Sequence, residues 1–166
     1  MVYNQNEVIA MPDMLVKLYD LPDLQRCVER VGAQGVEVRR AMAPEKQTII
    51  EWVSEHFGKH WASEVDVSFS NKPISCFLAV HGEQIVGFAC YEATYRDFFG
   101  PTGVLEEYRG KGIGAALTLV CLHEMKNLGY MYAIIGGAGP VEFYRKIVGA
   151  VKIEGSEPGP YRGILS

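Results

Sequence analysis

The residues best suited to chemistry in this chain form a short glycine-rich segment at 109–114, which reads RGKGIG. It leads into a long apolar-periodic stretch, so it is predicted to form a helix N-terminus. The first amides of a helix have no partner within it, and the helix dipole adds about half a positive charge there. Glycine lets a ligand approach the backbone, and Arg109 and Lys111 add charge. The segment is therefore predicted to bind phosphate oxygens.

The helix is predicted because apolar residues recur at helical spacing from Ile113 to Leu128, and Gly129 supplies a stop. A flexible connection before the helix is the simpler interpretation of the glycines. Spacing excludes two other phosphate-binding loops, because a dinucleotide fingerprint reads G-x-G-x-x-G and a P-loop reads G-x-x-x-x-G-K-S/T. A nucleotide-binding protein that uses this loop in another way stays open.

The loop resembles motif A of the GNAT superfamily of N-acetyltransferases, whose pyrophosphate signature is Q/R-x-x-G-x-G/A. Arg109, Gly112 and Gly114 match that signature. Members of the family typically run V-x-P-x-Y-R-G-x-G-I-G. Residues 104–114 follow that pattern, except that Glu106 stands where proline is usual.

A second match lies downstream, where residues 141–150 are similar to the family's motif B, A-x-x-F-Y-x-K-x-G-F. An extra residue separates Lys146 from Gly149, and Ala150 replaces the aromatic residue. Two further departures are Gly137, where the family often has asparagine, and Pro140, where alanine is usual. The order and separation of the two motifs make the resemblance more specific than either motif alone.

The resemblance implies the GNAT fold, which is an α/β (α+β) domain. Its central sheet is mixed, mostly antiparallel and twisted, has six to seven strands flanked by helices, and is splayed between the fourth and fifth strands. We expect a single domain over residues 1–166, with an N-terminal strand–helix extension at 1–34 and the core at 35–166.

Periodicity and turn residues predict the elements that position both motifs. Strands are predicted at 14–19, 36–40, 75–80, 85–91, 98–104 and 132–135, with a short final strand after Gly163. Helices are predicted at 22–32, 44–58 and 113–128 and from Pro140 onward, while segment 59–71 fits a helix or a loop. Glycine and proline within 98–104 predict an edge strand or a bulge, and the resemblance implies a bulge, since the fourth strand of GNAT proteins bulges at this place.

The resemblance further implies that acetyl-CoA is the co-substrate. Its expected contacts are the bulged strand (Thr102, Gly103, Val104), the loop (Arg109, Gly110, Lys111, Gly112, Ile113, Gly114, Ala115), Gly137 and Phe143. Tyr144 matches the family's general acid by position. The acceptor-site candidates are Trp61, Glu64, Tyr91, Tyr95 and Tyr161. The general base stays unassigned among Glu64, Glu92, Asp97 and Glu106.

The expected reaction is acetyl transfer to a primary amine of a small molecule or peptide, by direct attack in a ternary complex. The alternative is a GNAT-like module that binds an acyl-CoA without turnover. Members of the family often dimerise, so the N-terminal strand and helix are candidates for a homodimer interface.

Composition limits the other function classes. The net charge of −4 and the lack of a basic run argue against nucleic acid as the main partner. No apolar run approaches the roughly 20 residues of a membrane helix, and no signal-peptide pattern is present, so we expect a cytoplasmic protein without membrane contact. The four cysteines form no C-x-x-C pair and are expected to be free thiols. His56 and His60 lack a third ligand, so no metal site is expected.

Overall fold

The computed structural model describes residues 11–165, in which seven strands form one sheet in the order β2-β3-β4-β5-β6-β1-β7. The first ten residues of the expected extension lie outside this range. The strands are β1 (Met14–Lys17), β2 (Val36–Arg40), β3 (Cys76–His81), β4 (Gln84–Tyr91), β5 (Phe98–Val104), β6 (Tyr132–Ile135) and β7 (Val151–Lys152). The helices are α1 (Leu24–Gly32), α2 (Lys46–Phe57), α3 (Lys59–Ser68), α4 (Ile113–Asn127) and α5 (Val141–Val148). Segment 59–71 thus contains a helix.

Helices cover both faces of the sheet. Successive side chains of a strand point to opposite faces, so neighbouring residues of one strand pack against different helices. On β3, Phe77 and Ala79 pack in a cluster that includes residues of α1, α4 and α5. Cys76 and Leu78 alternate with them and pack with α2 and α3 on the other face. The predicted mixed sheet flanked by helices is therefore confirmed. All four cysteines are free, also as expected.

The sequence did not predict where the N-terminal strand would lie. In the structure, β1 is antiparallel to β6 on one side and to β7 on the other, with Met14 opposite both Ile135 and Lys152. Met14 and Val16 are fully buried, so this strand contributes to the core and not only to the surface.

The predicted strand after Gly163 is wrong for the residues that are described. The segment before it forms a short 3-10 turn at Gly159–Tyr161, and residues 162–165 pair with no strand. The physical reason is that β1 already occupies the position beside β6, which leaves no free strand edge there.

The bulge and the splay both occur in β5. Ala89 pairs with Thr102 and Tyr91 with Phe99, so β5 uses three residues where β4 uses two. The extra residue lies at 100–101, as its glycine and proline predict. On the other side, β5 is parallel to β6 and pairs with it only at Phe98 and Phe99. Beyond Phe99 the two strands diverge, and they are the fourth and fifth strands of the expected core.

Candidate active site

The amides of residues 110–115 have no backbone acceptor within residues 11–165, whereas the amide of Arg109 donates to the Glu106 carbonyl at 3.1 Å. In the stretch 110–116, Ala116 is the first residue whose amide donates to the backbone, to the Gly112 carbonyl at 3.0 Å. Gly112 precedes α4 with φ of +86° and no side chain caps this helix. An L side chain is strained at that φ, so the position requires glycine. The N-terminus of α4 therefore presents a row of unoccupied donors.

Neighbouring side chains hold this loop in place. The Arg109 Nε donates to the Val104 carbonyl at 3.2 Å, and Gln34 donates to the Lys111 carbonyl at 3.0 Å. The Lys111 ammonium lies 4.6 Å from the centroid of the Tyr108 ring, a distance at which a cation is attracted to the ring face. The donors are thus oriented before any ligand binds.

The edge of β5 continues this row of donors. The Leu105 amide donates to the Val86 carbonyl of β4 at 2.9 Å. Because backbone groups alternate sides along a strand, the amides of Val104 and Thr102 point the other way, toward the divergence from β6. Gly103 lies under α2, where a Cβ would come within 2.5 Å of the Phe57 ring. A side chain there would push α2 away from β5.

The structure brings the two sequence motifs together. Phe143 of α5 lies against α4, since a Cβ on Gly114 would be 3.4 Å from its ring. The Tyr144 ring packs edge-to-face on Phe99 with centroids 6.2 Å apart and is only 4% exposed. Phe99 is the last β5 residue that pairs with β6. Tyr144 therefore lies where the divergence begins.

Three of the acceptor-site candidates meet on the other face of the sheet. Thr94 donates a hydrogen bond to Glu64, and the Tyr161 hydroxyl lies close enough to both for each to affect its pKa. Tyr95 contributes to the electrostatic environment of Tyr161 and packs on Phe98 with centroids 5.3 Å apart. Burial raises the pKa of Glu64, and burial followed by the nearby Glu64 charge raises the pKa of Tyr161 to about 12. Tyr161 therefore keeps its proton.

The remaining candidates lie elsewhere. Trp61 lies one turn before Glu64 and stacks on Phe57 at 5.6 Å. Tyr91 is buried on the opposite face, where its hydroxyl accepts from Arg40 at 3.1 Å, so it does not line this region. Glu106 is exposed beside the loop. The Gly137 amide donates to Asp13 at 2.9 Å.

Sequence reasoning missed Thr94 and Asp13. Thr94 lies in a loop without a motif, and Asp13 comes just before β1. No local pattern distinguishes either residue from an ordinary polar residue at a strand end.

Asp97, a candidate base, lies before β5 at the end of the strand that is remote from the loop. Burial, and then the charge of Glu92, raises its pKa to about 6. Its Oδ1 is buried and has no hydrogen-bond partner among the described residues. In the folded state this carboxyl therefore holds its proton to higher pH than in the unfolded chain. Its contribution to stability is greatest below the unfolded pKa and is lost as the pH rises through about 6.

We therefore expect Asp97→Asn to raise the Tm clearly at about pH 8 and only slightly at about pH 4. Asparagine tolerates the φ of +64° at this position. Thermal unfolding of both proteins across that pH range measures the difference. An equal gain at both pH values would show that the Asp97 carboxyl is not perturbed.

Two surface cavities do not coincide with this arrangement. One of about 440 Å³ lies between α1 and β2, and one of about 130 Å³ lies beside Asn71 and Glu92. The candidate site is instead a line of backbone donors along the divergence of β5 and β6.

Within residues 11–165, no group of three or more His, Cys, Asp and Glu side chains is arranged to hold a metal ion. None of the described helices is both long enough and apolar enough to span a bilayer.

Comparison with known proteins identifies the family. The family model described as the acetyltransferase (GNAT) family matches residues 41–150, which include both motifs. No curated protein matches this chain.

Solved structures share the fold. A GCN5-related N-acetyltransferase from Sphaerobacter thermophilus has a TM-score of 0.66 at 20% identity, over 86% of this chain and 48% of its own. A GCN5-related N-acetyltransferase from Kribbella flavida has a TM-score of 0.54 at 18% identity, over 86% of this chain and 54% of its own. A GCN5-related glucosamine N-acetyltransferase region of a fungal multi-domain β-N-acetylglucosaminidase has a TM-score of 0.70 at 14% identity. The match covers 86% of this chain and 20% of the fungal chain. This chain thus spans about half or less of each solved chain. At these sequence identities, the similarity shows a shared fold and nothing more. On the family match and this fold, the chain belongs to the acetyltransferase (GNAT) family.

Proposed function

We propose that this protein transfers the acetyl group of acetyl-CoA to a primary amine by direct attack in a ternary complex. The observation that supports this most directly is two groups of unoccupied backbone donors, one at the N-terminus of α4 and one at Thr102 and Val104 of β5. Together they mark a path from α4 along β5 to Tyr144. A diphosphate attached to an extended arm of amide groups has the chemistry to follow such a path.

The two ends of this path suit different parts of coenzyme A. The amides of residues 110–115 face the pyrophosphate, where the helix dipole and the charges of Arg109 and Lys111 favour an anion. The amides of Val104 and Thr102 are free to pair with the pantetheine arm as a neighbouring strand would. The thioester then lies near Phe99, where β5 and β6 separate.

The proposed chemistry needs few groups. The amine nitrogen attacks the thioester carbonyl carbon, and a backbone amide of the bulged strand stabilises the negative oxygen. The C–S bond then breaks and its electron pair goes to sulfur, while the nitrogen loses a proton to water. Tyr144 donates its proton to the departing sulfur and regains one from water. A phenol pKa of about 10 and a thiol pKa of about 8.5 are close enough for this transfer.

The amine must be neutral before it attacks. An alkyl amine with a pKa of about 10.4 is almost fully charged at neutral pH, and removing its proton costs about 5 kcal/mol there. Such an acceptor needs a base in the site, whereas an α-amine with a pKa of about 8 needs one far less.

The experiment is calorimetric titration with CoA, followed by thiol release from acetyl-CoA over a panel of primary amines. We expect CoA to bind, ATP and GDP to fail to displace it, and at least one amine to raise thiol release above hydrolysis. Displacement by the nucleotides would favour a nucleotide-binding protein. Tight CoA binding with no turnover of any amine would favour a non-catalytic module.

A further inference from the structure

Glu64, Thr94 and Tyr161 come from three distant parts of the chain and lie together in a group that we call the Glu64 triad. Thr94 has a single hydroxyl proton and gives it to Glu64. Tyr161 lies beside this pair, where burial and then the Glu64 charge raise the pKa of its hydroxyl and Thr94 lowers it. The hydrogen bond from Thr94 holds the Glu64 carboxylate in one orientation.

The Glu64 triad lies at the divergence of β5 and β6. A Cβ on Gly136, the residue that follows β6, would lie 2.8 Å from the Tyr161 hydroxyl and 2.8 Å from the ring of Phe98. Phe98 pairs with β6 at the last rungs before the strands separate. Phe99 and Tyr144 belong to the opposite face. The triad and Tyr144 thus approach the gap from its two sides.

Glu64 has no basic partner within the described residues. None of the ion pairs in that part of the chain includes Glu64, which is half-buried. The groups that face the triad are Cys90 on β4, Tyr95 beside Thr94, and Asp13 near Tyr161. Each of these is neutral or acidic. A carboxylate removed from water without a cation is costly, so a positively charged ligand would be stabilised here.

We propose that Glu64 binds the ammonium form of the acceptor and takes its proton, so that the site selects primary amines that carry no carboxylate. This rests on the proposed function. The proton moves from the ammonium nitrogen to the Glu64 carboxylate, which leaves a neutral amine and a neutral carboxyl. The amine then attacks as described, and Glu64 returns its proton to solvent. Thr94 and Tyr161 are positioning residues. An acceptor carboxylate would be repelled by both Glu64 and Asp13.

The test uses probe pairs that differ by one carboxylate, cadaverine against lysine and tyramine against tyrosine. In the unaltered protein we expect kcat/KM to be at least about 10-fold higher for the member without the carboxylate. Glu64→Gln keeps the acceptor for Thr94 but removes the charge. We expect it to lower kcat/KM for the preferred amines by about 10²-fold and to leave CoA affinity unchanged.

The pH profile separates catalysis from structure. In Glu64→Gln, kcat should rise tenfold per pH unit toward the pKa of the amine, whereas the unaltered protein should level off at lower pH. Tyr161→Phe should lower kcat/KM by less than Glu64→Gln does, and its kcat should level off at the same pH as in the unaltered protein. The matched control is Glu55→Gln, which removes the same charge from an exposed position on α2 and should change nothing.

Unchanged turnover in Glu64→Gln, or lysine and tyrosine acetylated as well as their partners, would overturn the proposal while leaving acetyl transfer intact. If the unaltered protein does not bind CoA, the proposed function is overturned instead. A further measurement uses only the unaltered protein, so its result does not depend on whether a variant folds. With CoA present, cadaverine or tyramine should raise the Tm of the unaltered protein more than lysine or tyrosine does, and the reverse order would reject the selectivity.

Discussion

Tyr144→Phe should lower kcat by about 10²- to 10³-fold, because it removes the only proton donor that we assign to the departing sulfur. The ring of Tyr144 is buried against Phe99 and Phe143, and phenylalanine preserves those contacts. CoA affinity should therefore stay close to that of the unaltered protein. Steady-state thiol release and calorimetric titration with CoA measure the two quantities separately.

A matched control is Tyr132→Phe, which removes a hydroxyl from an exposed tyrosine on β6. We expect it to have full activity. If Tyr144→Phe turns over as fast as the unaltered protein, another group or water protonates the sulfur. If the unaltered protein and Tyr144→Phe both bind CoA but have equally negligible activity, the non-catalytic module is the better interpretation.

Gly110→Asp should weaken CoA binding by about 100-fold. Gly110 has a φ of +75° with no heavy atom within 4 Å of a Cβ built there, so a short side chain fits. Aspartate tolerates this conformation better than most residues. Its carboxylate would lie beside the pyrophosphate, and at about 6 Å and an effective dielectric constant of about 20 the repulsion is about 3 kcal/mol.

The comparison that isolates this charge is Gly110→Asn, which has nearly the same shape and is neutral. We expect its CoA affinity to fall by less than about tenfold. Titration of both variants at low and high salt should show the difference between them shrinking as salt rises. Equal affinities for the two variants would mean that the phosphates do not bind at the N-terminus of α4.

The position of β1 gives the N-terminal segment a place in the candidate site. Asp13, directly before β1, accepts from the amide of Gly137 and lies close to Gly159. It thereby ties the loop after β6 to the turn that carries Tyr161. Asp13 thus supports the proposed acceptor side of the site, although the sequence predicts this segment as an extension outside the core.

The sequence by itself determined the parts of the protein that depend on neighbouring residues. Glycine and basic residues at fixed spacing before a periodic helix specify the loop at 109–114, because an anion site at a helix N-terminus is built within one continuous segment. Glycine and proline predicted that β5 is an edge strand or contains a bulge for the same reason. Local periodicity predicted β1 to β6 and four of the five helices, and the resemblance carried by the two motifs implied the splay, whereas β7 was not predicted.

Tertiary structure decided the rest, because it depends on contacts between distant segments. The burial of Met14 and Val16 placed β1 beside β6, which no local pattern indicates. Tertiary packing also buried Tyr91 in the core and brought Glu64 together with Thr94 and Tyr161. A carboxylate in a sequence looks like any other, and only the neighbours that the fold gives it determine whether it is solvated or held at a reaction site.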